Sequence, residues 1–223
     1  MKVAAMATNI FFDVDGVLLH PGNAHGRSPQ PWHASLERDL GVDPRRLGEA
    51  FFSPTAPGAI SWMEACSTGL AAIEEALPPV LAALGYKGDI ETFLRYWFER
   101  DAHVDHALID QIALLRDRNG CRCYLATSQE HRRAAFIWDE LGMRDHFSGM
   151  YYTARLGHSK KTVEFYRAIA EDFDFAAAAP IYFDDREEMV RTAAAAGWDA
   201  CLYESIESLR RHPAMAALYG TAT

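Results

Sequence analysis

The chain has 223 residues, 49% of them hydrophobic, enough to bury one substantial core and a smaller one beside it. Its formal net charge of −9 excludes a protein that tracks nucleic-acid phosphates or anionic lipid, because both need clustered Lys and Arg. There is no run of about 18 apolar residues, and MKVAAMATN leads straight into a strand-like segment, so neither a membrane span nor a signal peptide is expected and a cytoplasmic protein is the default.

The first predicted strand, IFFDVDGVLL at residues 10–19, is an apolar run interrupted by Asp13 and Asp15. An unpaired buried carboxylate is costly, so the pair must sit at a strand end, be neutralised by a cation, or both. Residues 21 to about 106 have a different character. Pro31 and Gly41 bracket a short helix, and Asp43 followed by Pro44 caps and starts the next. A longer helix is expected from near Trp62 to Leu77, ended by Pro78 and Pro79. After Asp89, residues Ile90, Phe93, Leu94, Trp97 and Phe98 form an amphipathic stripe at helical spacing. This stretch reads as an all-helical insert without strand signal.

From Asp105 to Asn119 the apolar residues Leu108, Ile109, Ile112 and Leu115 again have helical spacing, and Gly120 closes the helix. CRCYLAT then reads as a buried strand in which Cys121 and Cys123 alternate as small core residues. The four cysteines, with Cys66 and Cys201, show no metal or disulfide spacing. A helix from about Gln129 to Leu141 stops at Gly142, GMYYT is a short strand, and Val163, Tyr166, Ile169 and Phe173 mark a further helix. An alanine-rich connection to Pro180 leads into IYFDD. A helix through Met189, Ala193 and Ala196 ends at Gly197 before the strand ACLY. Strands alternating with helices over short links imply a parallel sheet with right-handed crossovers.

Ligands of an open parallel sheet bind at the carboxyl ends of its strands. The residues expected there are Asp13 with Asp15, Thr127 with Ser128, and Asp184 with Asp185, while the loop before the 160s helix adds Lys160 and Lys161. Hard carboxylate oxygens gathered from two strand ends suit magnesium, which binds through a few carboxylates and keeps positions for water and phosphate.

Four motifs in order, DVDGV, LATS, GHSKK and IYFDD, make the chain resemble the haloacid dehalogenase superfamily, in its phosphatase-like branch with a helical cap inserted after the first motif. The resemblance spans nearly the whole length. It implies a Rossmann-like, doubly wound parallel α/β sheet formed by residues 1–20 and 107–223, with an all-helical cap domain at 21–106. It also implies a magnesium-dependent phosphatase acting on a small phosphorylated metabolite through an aspartyl-phosphate. Asp13 would be the nucleophile, and Asp15 the acid that protonates the leaving oxygen and then the base for water. Magnesium would be held by the Asp13 side chain, the Asp15 backbone carbonyl and Asp185, with Asp184 assisting. Thr127 and Lys160, with Ser128 beside them, would bind the phosphoryl oxygens.

The family pattern is not matched everywhere. Lys161 stands where relatives often carry proline, so Lys160 is preferred to it on register alone, and Arg186 after the acidic pair has no assigned role. Asp15 favours phosphoryl transfer over carbon–halogen cleavage. Lys87, the one lysine in the insert, lies in a turn-like GYKGD and argues against Schiff-base phosphonate hydrolysis. A sugar phosphomutase of the same superfamily and a non-enzymatic scaffold are the alternatives.

Plainer readings exist for each feature. DVDGVL fails as a calcium loop because Val17 and Leu18 occupy ligand and glycine positions. Asp184 with Asp185, or Thr127 and Ser128, could simply cap helices. His103 and His106 are expected to be surface residues at a domain junction, and Trp62, Trp97 and Phe98 the insert's own core. His20, His25, Arg27 and Trp62 are candidates for substrate selection on the insert's face.

Overall fold

The computed structural model describes residues 8–20, 30–173 and 179–220. Strand β1 (Asn9–Phe12) is the centre of a five-stranded sheet. Around it lie β4 (Arg122–Thr127), β5 (Met150–Tyr152), β6 (Ile181–Asp184) and β7 (Asp199–Leu202), in the order β5-β4-β1-β6-β7 and parallel throughout. The register sets Phe12 beside Leu125 on one side and Phe183 on the other. Ile10, Phe11 and Phe12 are fully buried, as expected of a strand covered on both faces.

Ile10 and Phe12 face a core shared with Leu108, Ile112 and Leu115 of α6 (His106–Asn119). Phe11 faces the opposite layer, stacked on Tyr124 at 5.0 Å and packed with Phe165, Tyr166 and Ile169 of α9 (Val163–Ala170). The result is a Rossmann-like α/β core with a helical layer on each face.

The expected strand over residues 10–19 is shorter than predicted. It breaks after Phe12 into a tight turn in which the Val14 carbonyl accepts from the amides of Val17, Leu18 and Leu19. Gly16, at φ +87°, makes that turn possible. The chain leaves it through β2 (Leu19–His20), which pairs antiparallel with β3 (His103–Val104). No strand was expected near the insert's end; two residues carry no period by which a strand can be recognised. The pairing also separates His103, on the strand, from His106, the exposed first residue of α6, so the two do not share a helix face.

Between β2 and β3 the described residues are helical: α1 (Leu36–Leu40), α2 (Pro44–Leu47) running into a π-helical turn at Gly48–Phe52, α3 (Trp62–Ser67), α4 (Ile73–Ala83) and α5 (Ile90–Arg100). Asp43 caps α2 through its carboxylate, as expected, and Asp89 caps α5 in the same way. The expected helix from Trp62 to Leu77 is two helices, and the proline pair lies inside the second. Gly69 breaks the first, at φ +75° and so close to the Ala154 carbonyl that a Cβ would lie 2.5 Å from it.

In α4, Pro78 and Pro79 deny the carbonyls of Glu74 and Glu75 their usual partners, but both of those residues are exposed and water can serve instead. Burial of Ile73, Ala76, Leu77 and Leu81 holds the helix in place. Trp97 and Phe98 are core residues as expected, with Trp32 stacked on Trp97 at 5.0 Å. Trp62 is not: it is 48% exposed at the start of α3, where it lines a groove with Arg46, Pro79, Val80 and Leu84.

In the second half, Asp105 caps α6, Gly120 ends it at φ +63°, and Cys121 and Cys123 are buried. The helix expected from Gln129 starts two residues later, as α7 (His131–Ala135), and continues as a π-helical turn at Phe136–Glu140. A single turn, α8 (Thr153–Leu156), follows β5, and α10 (Glu187–Ala195) connects β6 to β7. The alanine-rich segment at 174–178 lies outside the described residues. Two helices that the sequence reading did not include, α11 (Ile206–Arg211) and α12 (Pro213–Gly220), follow β7. Among the described residues no helix is long and apolar enough to cross a membrane.

Candidate active site

Parallel strands present their carboxyl ends on one edge, and the neighbours β4, β1 and β6 there deliver Thr127, Asp13 and Asp184. Lys160 reaches them from the loop between α8 and α9. Only 2% exposed, its Nζ lies 2.8 Å from Asp13 Oδ1 and 2.7 Å from Asp184 Oδ2. Lys161 is exposed, so it is Lys160 that turns inward. Asp184 is completely buried and hydrogen-bonded through both oxygens: Oδ2 also accepts from the Tyr182 hydroxyl, and Oδ1 accepts from the Arg186 amide at 2.8 Å. Neither Asp184 nor Asp185 caps α10, whose first turn has no side-chain cap, so the capping role considered for this motif is not met: one Asp184 oxygen holds the Arg186 amide ahead of the helix while the other serves Lys160. The Arg186 guanidinium turns away, 3.4 Å from Glu188.

Asp185 completes the group. An oxygen from each of Asp13, Asp184 and Asp185 falls within 4.8 Å of the others, an arrangement able to hold a hard divalent cation. Gly16 sits directly against Asp185, where a Cβ would be 2.2 Å from Oδ2, so the turn after β1 and the end of β6 meet only because residue 16 has no side chain. Burial raises the Asp13 pKa to about 7, with the neighbouring Asp184 charge adding to the effect and Lys160 opposing it. Burial, then the Asp184 charge, also raises that of Asp185. For Lys160, burial disfavours the charge, yet the carboxylates of Asp13 and Asp184 together outweigh it and the ammonium is held above its ordinary range.

The Asp15 carboxylate is not part of this cluster. Its Oδ2 accepts from Gln129 Nε2 at 2.6 Å and its Oδ1 from Arg133 Nη2 at 3.0 Å. Gln129 Nε2 also lies 3.2 Å from Thr127 Oγ1, linking the ends of β1 and β4. Ser128 is exposed, and neither it nor Thr127 caps α7; Glu130 does, accepting from the amides of Arg132 and Arg133. Gln129 and Arg133 were not among the residues singled out from the sequence. In a string reading QEHRR, a polar helix start facing solvent is the ordinary interpretation, and nothing in one dimension tells which arginine is buried.

Of the residues considered for substrate selection, His20 lies on β2, 3.8 Å from Asp105, and Trp62 lines the groove on the insert. His25 and Arg27 fall outside the described residues.

An open parallel sheet whose strand ends gather three carboxylates, two of them against a buried ammonium, with helices inserted after the first strand, is an α/β core with an acidic centre able to hold a cation. Residues 8–197 match the family model of the haloacid dehalogenase-like hydrolases, and the chain belongs to that family. It is therefore an enzyme of the hydrolase class.

No curated protein sequence matches it. Among solved structures, a haloacid-dehalogenase-family enzyme from Bacteroides thetaiotaomicron is similar at 15% identity and a TM-score of 0.69, covering 89% of this chain and 94% of that one. The same enzyme in complex with magnesium and inorganic phosphate gives a TM-score of 0.67 at 15% identity over the same shares. An L-2-haloacid dehalogenase from Xanthobacter autotrophicus, carrying covalently bound chloropropionic acid, is similar at 15% identity and 0.56, over 98% of this chain and 85% of that one. At these identities the likeness is one of fold.

Proposed function

We propose that the chain is a magnesium-dependent phosphatase that hydrolyses the phosphate monoester of a small metabolite through an aspartyl-phosphate on Asp13. The observation that carries this reading is Lys160, buried between Asp13 and Asp184 with Asp185 alongside. A nucleophilic carboxylate that must meet an anionic ester needs fixed positive charge beside it, and Lys160 is that charge. The donor set fits magnesium: hard oxygens from Asp13, Asp184 and Asp185, brought close where Gly16 leaves room. Bound there, the ion would offset the repulsion between the Asp13 carboxylate and the phosphoryl oxygens. The Bacteroides enzyme crystallised with magnesium and inorganic phosphate lends support.

In this mechanism an Asp13 oxygen attacks phosphorus, the bond to the ester oxygen breaks, and Asp15 gives its proton to that oxygen. Water then yields a proton to Asp15 and attacks phosphorus, the bond to Asp13 breaks, and phosphate leaves. Lys160 and the Thr127 hydroxyl bind the phosphoryl oxygens throughout, while exposed Ser128 borders the site. The separation of tasks matches the surroundings: Asp13 is buried with the cationic group, whereas the Asp15 side chain is 50% exposed and held by neutral and cationic donors from the β4 side.

The test is turnover of p-nitrophenyl phosphate and a panel of phosphorylated metabolites with and without magnesium. The expected results are metal-dependent phosphate release, its abolition in Asp13→Asn, and a mass increase of one phosphoryl group on the peptide containing Asp13 after acid quench. Halide release from 2-haloacids without any phosphate release would overturn the reading, and full activity in Asp15→Asn would overturn the assignment of the acid.

A further inference from the structure

Two consecutive arginines of α7 face the helical insert, and they do so differently. Arg132 is partly exposed and forms a two-pronged pair with Glu91 of α5, Nη1 to Oε1 at 2.9 Å and Nη2 to Oε2 at 2.5 Å, with Glu74 of α4 at 3.3 Å. Arg133 is 3% exposed. Its Nη2 donates to Asp15 Oδ1 at 3.0 Å and to the Asp101 backbone carbonyl at 2.9 Å, with the Asp101 carboxylate 3.5 Å away. Asp101 is the residue that closes α5, and the Arg133 guanidinium also lies over the ring of Phe98 in the same helix, 5.6 Å from its centroid. Its Nη1 is buried and has no hydrogen-bond partner among the described residues.

Burying a guanidinium with one nitrogen unsatisfied is costly, so packing alone does not explain this side chain. What Arg133 achieves is a junction: one nitrogen shared between Asp15, on the turn after β1, and the last turn of the insert's final helix. We propose that Arg133 is a positioning residue that fixes the Asp15 carboxylate according to how the insert is seated, so that the acid is aligned with the leaving oxygen only when α5 is in place. The inference rests on the reading of Asp15 as general acid and adds to it the residue that aims it. Gln129 restrains the second oxygen of Asp15 from within the sheet domain, leaving Arg133 as the restraint that reports on the insert. A proton donor works only within hydrogen-bond reach of its acceptor, and a displacement of about 1 Å costs on the order of a hundredfold in rate.

The test compares an alkyl phosphate, whose alkoxide must be protonated as it leaves, with p-nitrophenyl phosphate, whose phenolate leaves without help. In each case kcat/KM reports the step that expels the leaving group. In Arg133→Gln the alkyl ester should lose about tenfold more kcat/KM than the aryl ester, mainly in kcat. Arg133→Lys, which keeps the charge but reaches one partner at a time, should fall between Gln and wild type and also guards against a Gln variant that does not fold. Asp15→Asn is the control and should show the same selective loss in larger measure. Equal losses on both esters in the Gln and Lys variants, with Asp15→Asn still selective, would overturn the positioning role alone. An unselective Asp15→Asn, or a wild-type enzyme that hydrolyses neither ester, would overturn the acid assignment and the inference with it.

Discussion

Replacing Lys160 with methionine keeps the unbranched apolar stem and removes the ammonium from between Asp13 and Asp184, at 2.8 and 2.7 Å. All three groups are buried, so water cannot screen the two carboxylates left behind. Removing one partner of a buried ionic network destabilises by about 3–5 kcal/mol. The loss should depend on pH. Burial already raises the Asp13 pKa to about 7 from an ordinary 3.8, and losing an adjacent cation lifts it by about 1–3 units more, each worth about 1.4 kcal/mol. A carboxylate whose folded-state pKa is raised contributes stability below its unfolded value and loses it as pH rises through the folded value. The variant should therefore be nearest to wild type at about pH 4–5, and its deficit should grow by about 2 kcal/mol on going to pH 8–9. Urea unfolding of both proteins in chelator at pH 5 and pH 8.5 measures this directly. A deficit below about 1 kcal/mol, or one equal at the two pH values, would refute the claim that Lys160 neutralises buried charge.

Four further outcomes are expected. Gly16→Ala places a methyl group on a backbone at φ +87° and 2.2 Å from the Asp185 carboxylate; it should weaken magnesium binding by calorimetry at least tenfold and lower stability by about 1–2 kcal/mol. Because burial holds the Asp13 pKa near 7, metal must displace a proton below that pH; magnesium affinity measured by titration should fall about tenfold per pH unit on going from pH 7 to pH 5, and level out above pH 8. Lys161→Ala, at an exposed neighbour of the buried lysine, should keep kcat/KM within about twofold of wild type in the steady-state assay. Glu130→Ala removes the carboxylate that receives the Arg132 and Arg133 amides and should lower stability by about 1–2 kcal/mol in thermal unfolding.

Much of the helix punctuation can be read locally, because a cap acts within one turn. Asp43 caps the helix it is expected to cap, Asp89 and Asp105 cap the helices that begin just after them, and Gly41, Gly120 and Gly142 follow the helix ends in the left-handed conformation. The proline pair misled for the same reason. Locally it ends a helix; in the fold it lies within α4, where exposed carbonyls and four buried side chains tolerate it. The break at Gly69 answers to the Ala154 carbonyl, 85 residues away in sequence. Trp62 shows the limit of composition, since a large aromatic beside other apolar residues is usually core, and only the arrangement of α3 against α4 leaves it at the edge of a groove.

By itself the sequence determined the α/β alternation, the helical insert and the four motifs that carry Asp13, Asp15, Thr127, Lys160, Asp184 and Asp185, because each is set by short-range pattern and by the family it matches. Tertiary structure alone decided that Gly16 must yield to Asp185 and that Gln129 and Arg133 hold Asp15 from two sides. Those contacts join residues as far apart as Gly16 and Asp185, 169 positions along the chain. Their geometry follows from how the strand ends and the insert pack together, which no local periodicity encodes.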